Sequence, residues 1–130
     1  MYKPAEHLAI SKYIAKHHPE IHKDAMKIIL PKELPGIENI KVLRNLSNYY
    51  THENRLLFII AFIIIYDRRA MELEIRIRGG IRQRIANVLQ VDETNVSKMF
   101  YTAKTRYQYI PEFKRRTDEI VSEYKRKFNL

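Results

Sequence analysis

Ten consecutive residues, Leu56 to Ile65, read LLFIIAFIII, and a helix built from them has no polar face. Such a helix is stable only where other elements enclose it, so the run is expected at the centre of a packed body. Ten helical residues rise about 15 Å, half of the roughly 30 Å hydrocarbon thickness of a bilayer. Arg55 closes one end, and Asp67, Arg68 and Arg69 close the other. The run is therefore read as a buried helix and not as a membrane span. With 130 residues and 45% hydrophobic content, the chain can bury one core.

The flanking segments supply the helices that must do the enclosing. Pro4 suits the first turn of a helix running to about His17, with Leu8, Ile10, Tyr13 and Ile14 available for burial. Pro19 opens a second, in which Ile21, Ala25, Ile28 and Ile29 recur at helical spacing. The segment LPKELPG, Leu30 to Gly36, breaks the pattern, because two prolines and a glycine cannot continue a helix. A third helix is predicted from Glu38 to Tyr50, with Ile40, Leu43 and Leu46 inward, and Thr51 or Glu53 starts the buried one.

Met71 to Arg78, MELEIRIR, supports two readings. Leu73, Ile75 and Ile77 alternate with charged residues as in a strand, yet Glu72/Arg76 and Glu74/Arg78 are also i,i+4 pairs of a helix. With no strand elsewhere to pair with, a helix or an irregular extended linker is expected; a short strand pairing across a dimer is the alternative. Gly79-Gly80 is expected to end the stretch.

From Ile81 to Tyr101 the pattern changes to two amphipathic helices and a tight turn. With Arg82 as the first position, Ile85, Ala86 and Leu89 face inward on the first helix. Val91 plugs the turn, and Val96 and Met99 anchor the second helix. From Val96 the apolar stripe continues through Phe100, Ala103, Tyr107 and Ile110, leaving Thr94, Lys98, Tyr101 and Thr105 on the opposite face. Asp92 is placed to cap the second helix with its carboxylate, which sets the start near Glu93.

This stretch, about residues 82–101, resembles the helix-turn-helix DNA-binding proteins of the phage-repressor and transcription-regulator type. In that family the residue before the apolar plug is commonly Gly, since the chain there tends to be left-handed; this chain has Gln90. The resemblance implies that the second helix, about 93–109, enters the major groove of duplex DNA. Thr94, Asn95, Ser97, Lys98 and Tyr101 are then the base-reading candidates. Arg82, Arg84, Lys104, Thr105, Arg106, Lys114 and Arg115 are the phosphate-binding candidates. About five phosphate contacts would give a logarithmic salt dependence with a slope of roughly −4 to −5.

Paired amphipathic helices also occur in domains that touch no nucleic acid, and charge decides between the readings. Residues 1–75 carry 11 basic and 9 acidic residues, a net of +2, whereas residues 76–130 carry 13 and 6, a net of +7. A basic half beside the motif fits a surface that neutralises phosphates. A last helix from Pro111 turns Phe113, Ile120, Val121, Tyr124 and Phe128 inward, with Lys114, Arg115, Arg116, Lys125, Arg126 and Lys127 outside.

The expected fold is all-α: a compact multi-helix domain of about six helices containing the helix-turn-helix. Residues 1–66 form an N-terminal scaffold or oligomerisation region and 67–130 the DNA-binding region with its basic C-terminal helix, as one continuous globular unit. The chain has no Cys, which removes disulfides and thiolate chemistry and fits an intracellular, cytoplasmic compartment. MYKPAEHLAI has no signal-peptide pattern. His18 and His22 have helical ligand spacing without a third ligand, so no metal is expected. No enzyme activity, cofactor or small-molecule ligand is expected either. The function inferred is a transcription regulator binding double-stranded DNA, expected as a dimer. The alternatives are a recognition subunit of a phage or mobile-element packaging or replication assembly, a single-strand or RNA binder using Tyr101, Tyr107 and Tyr109, and an interaction domain without nucleic acid.

Overall fold

The computed structural model describes residues 3–130 and is all-helical, with no strand among the described residues. Eight helices form where about six were expected: α1 (Pro4–His17), α2 (Pro19–Ile29), α3 (Ile37–Ser47), α4 (His52–Tyr66), α5 (Arg68–Glu72), α6 (Gly79–Leu89), α7 (Glu93–Tyr109) and α8 (Pro111–Phe128). They fall into two compact units, residues 1–30 and 31–130. The boundary drawn from sequence at 66/67 lies inside the second unit, between α4 and α5.

The first unit is a helical pair. Prolines open both α1 and α2, where a missing amide costs nothing, and Glu6 folds back onto the Lys3 amide at 2.9 Å. The two helices pack on each other, yet no described residue of either is buried. Leu8, Ile10, Tyr13, Ile21 and Ile29, read from sequence as available for burial, are exposed. Two helices share one interface, so residues off that line are not covered by the other helix. Only Ile14, Ala25 and Ile28 of the expected set are half-buried.

The second unit is organised around α4. Thr51 caps it, its hydroxyl accepting from the Asn54 amide at 3.1 Å. Leu56 to Ile63 are wholly enclosed. Helices α3, α5, α6, α7 and α8 all pack against this rod, as an all-apolar helix requires. Phe58, Ile59, Phe62 and Ile63 share one cluster with Leu43, Ile81, Ile85, Val96 and Tyr124, while Leu56, Leu57 and Ile60 meet Ala103 and Phe113. The buried hydroxyls of Tyr66 and Tyr124 satisfy each other, and burial pushes the Tyr124 phenol above its ordinary range.

Asp67 ends α4 and is buried at 3% exposure. Its Oδ2 accepts the Arg78 amide at 2.9 Å, and Oδ1 lies 3.5 Å from Arg69 Nε and 3.4 Å from Arg78 Nε. One carboxylate thus ties the end of α4 to the start of α6 across eleven residues. Between them α5 is short and 73–78 has no regular secondary structure, with Glu74 left-handed. Gly79 and Gly80 do not close that stretch; they are the first two residues of α6, which starts one turn before Arg82. Ile77 and Ile81 are both buried, and seating them brings the chain into helix earlier than the motif required.

Candidate nucleic-acid interface

The α6–α7 connection is three residues long, Gln90 to Asp92. Gln90 takes the left-handed conformation, φ 56° and ψ 48°, although its side chain is exposed. Its amide and that of Val91, the latter at 3.1 Å, both donate to the Ala86 carbonyl, which closes the helix end. The position where the resembled family favours Gly is therefore left-handed here without Gly. Val91 is half-buried against the core, as a plug should be.

Asp92 precedes α7 in an extended conformation, but its carboxylate makes no capping bond, contrary to expectation. The Asp92 backbone carbonyl instead accepts the Asn95 amide at 3.0 Å and the Val96 amide at 3.2 Å. Glu93, in the first turn where negative charge is favoured, lies 3.5 Å from Arg82 Nε. Val96, Phe100 and Ala103 are buried, and Met99 and Tyr107 are half-buried. Ile110, expected to extend the stripe, is exposed because α7 ends before it. The phase of α7 leaves Thr94, Asn95, Lys98, Tyr101 and Thr105 exposed and Ser97 half-exposed. All five base-reading candidates thus lie on α7, four of them on its open face and Asn95 toward one side. The side chains of Lys98 and Tyr101 make no hydrogen bond or ion pair among the described residues, and Tyr101 is 75% exposed.

The cationic candidates divide into free and engaged. Arg106 is half-buried without an ion pair among the described residues. Lys104 donates to the Ala70 carbonyl at 3.2 Å and so holds α7 to the middle of α5. Arg84 donates to the Pro35 carbonyl at 2.9 Å, anchoring the segment before α3. On α8, Lys114 lies 3.7 Å from Asp118 and over the Tyr107 ring. Arg115 is chelated by Glu112 and Glu119, and its bond to Glu112 holds that carboxyl below the usual range. Arg126 pairs with Glu123. Much of the outward charge of α8 is neutralised along its own helix. Thr105 returns its hydroxyl to the Tyr101 carbonyl at 3.0 Å.

A groove of about 840 Å3 runs along α7, walled on one side by Thr94, Ser97, Tyr101 and Thr105 and on the other by Ile75 and Arg76. Arg76 was not singled out as a site residue from sequence. The charge alternation of MELEIRIR was the available signal, and its position beside α7 depends on the Asp67 tie, which no local pattern reveals. Tyr109, at the far end of the groove, is 77% exposed. Among the described residues no group of three or more His, Asp or Glu side chains is placed to hold a metal ion, and no helix is long and apolar enough to cross a membrane.

No protein-family model, curated protein or solved structure matches this chain.

Proposed function

We propose that the second unit binds duplex DNA by using α6, the turn and α7 as a helix-turn-helix, and that the protein is a transcription regulator. The observation that carries this reading is the open face of α7. Thr94, Lys98 and Tyr101 stand exposed on a helix whose opposite side is fixed by Val96, Phe100 and Ala103, which is the arrangement a groove-entering helix needs. Lys98 is suited to guanine acceptors and Asn95 to adenine, while the hydroxyls serve bases or phosphates. Arg106 flanks this face as a backbone contact, with the internally engaged cations, Arg82 with Glu93 among them, in structural roles. Two cations without an ion pair among the described residues, Lys98 and Arg106, lower the expected salt slope to about −2.

The test is a titration of fluorescent duplex DNA, single-stranded DNA and RNA at two salt concentrations, with duplex selection from a random library. Duplex preference with a salt slope of about −2 supports the proposal. A folded sample that ignores duplexes in dilute buffer refutes it.

A second reading, single-strand or RNA binding, is favoured by Tyr101 and Tyr109, whose rings stand open beside the groove; exposed aromatics are stacking platforms for unpaired bases. Tyr107 does not contribute, because it is half-buried and donates to Asp118 at 2.8 Å. Preference for single strands in the same titration would select this reading. A packaging or replication subunit would instead show a ring or higher oligomer by light scattering.

A further inference from the structure

Residues 73–78 combine four properties that a chain segment complete in itself does not need. The amides of Glu74, Ile75, Arg76 and Ile77 have no acceptor among the described residues, and unpaired backbone of this kind is a template for strand addition. Leu73 and Ile75 are apolar yet 50% and 40% exposed. Glu74 is held at φ 54°, a left-handed conformation that non-glycine residues avoid. The charges run acid first and base second, Glu72 and Glu74 before Arg76 and Arg78.

We infer that this segment is a self-association edge, and that its occupant is the same segment of a second copy, paired antiparallel about Ile75. The order of charges selects that partner. Reversing the second strand sets Glu74 opposite Arg76 of the other copy, and the two-fold axis repeats the pair. Opposite charges facing across strands stabilise pairing, and like charges in those places oppose it. The two Ile75 side chains then cover each other, every second amide of the segment finds a carbonyl on the partner, and Glu74 relaxes to an extended conformation. A parallel copy would set Glu74 against Glu74 and Arg76 against Arg76. The Asp67 tie holds the Arg78 end of the segment to the core, so that end of the edge is already anchored. This inference is independent of DNA binding and is tested without DNA.

Sedimentation and light scattering of the full chain, up to millimolar protein, should show a monomer–dimer equilibrium. Glu74→Arg and Arg76→Glu each turn two attractive pairs into repulsive ones and should weaken the dimer by about tenfold or more; the double exchange should restore it. Both side chains are exposed, and circular dichroism of each variant verifies the fold. Because the chain has no Cys, Ile75→Cys introduces a single thiol, which should form an intermolecular disulfide under mild oxidation far faster than Tyr50→Cys, an exposed control. A wild-type protein that stays monomeric, single reversals without effect, a double exchange as weak as the singles, or equal crosslinking at 75 and 50 would each overturn the proposal.

Discussion

Replacing Asp67 by Ala should cost about 3 kcal/mol of stability, and the structure states where the loss arises. The Oδ2 bond to the Arg78 amide is charge-assisted and partly buried; bonds to charged groups contribute about 1.5–3 kcal/mol. The Arg69 and Arg78 contacts are longer, at 3.5 and 3.4 Å, and those side chains retain 22% and 29% exposure. Water can therefore take them up, and their share is on the order of 1 kcal/mol, well under the 3–5 of a fully enclosed pair. For a chain of this length each kcal/mol lowers Tm by roughly 4 °C, so Asp67→Ala should melt about 10 °C below wild type. Asp67→Asn keeps an acceptor and should lose about half as much. Urea unfolding followed by helical circular dichroism measures both, and limited proteolysis should find new cleavage within 73–78. A loss for Asp67→Ala below about 1 kcal/mol would show that the carboxylate does not hold the start of α6 to the end of α4.

Gln90→Gly should stabilise by about 0.5–1 kcal/mol, because relief of the left-handed backbone exceeds the added freedom of the unfolded chain; destabilisation in urea unfolding would count against the turn geometry. Lys98→Ala should weaken binding to a selected duplex more than binding to random duplex if Lys98 reads a base, whereas equal losses in a fluorescence titration would remove it from the reading set. Burial, reinforced by the bond to Asp118, raises the Tyr107 phenol from 10 to about 12. Its folded-state pKa is the higher one, so its contribution is complete below about pH 10 and disappears as pH rises through 12. Tyr107→Phe should therefore lose stability relative to wild type at pH 8 but converge with it by about pH 12; a pH-independent difference between the two urea curves would contradict the assignment. Tyr124→Phe should cost about 1–3 kcal/mol by leaving the Tyr66 hydroxyl buried without a partner, and an unchanged midpoint would argue against that bond.

The sequence is most informative where one physical requirement acts alone. An unbroken apolar run such as Leu56 to Ile65 has only one stable setting, and Thr51, Pro19 and Pro111 mark helix starts by chemistry that needs no tertiary context. The phase of α7 follows likewise from Val96, Phe100 and Ala103, and that phase is what exposes Lys98 and Tyr101. Legibility fails where a distant contact decides. Helix α5 has a single buried residue, Ala70, too little to produce a periodic signal. Gly79-Gly80 reads as a break, yet the buried Ile77 and Ile81 draw the pair into α6. Several of the phosphate-binding candidates are engaged within the fold: Arg115 is one helical turn from a carboxylate on either side, and Arg84 and Lys104 reach backbone carbonyls 49 and 34 residues away.

The enclosure of α4 by five neighbours has a consequence for how the second unit can come apart. Peeling away any one neighbour uncovers a continuous greasy strip that water rejects and that other molecules would adhere to. Intermediates lacking a single helix should therefore be scarce at equilibrium, and melting should be all-or-none. Shortened chains that omit α8 should precipitate when expressed and not persist as trimmed, working fragments.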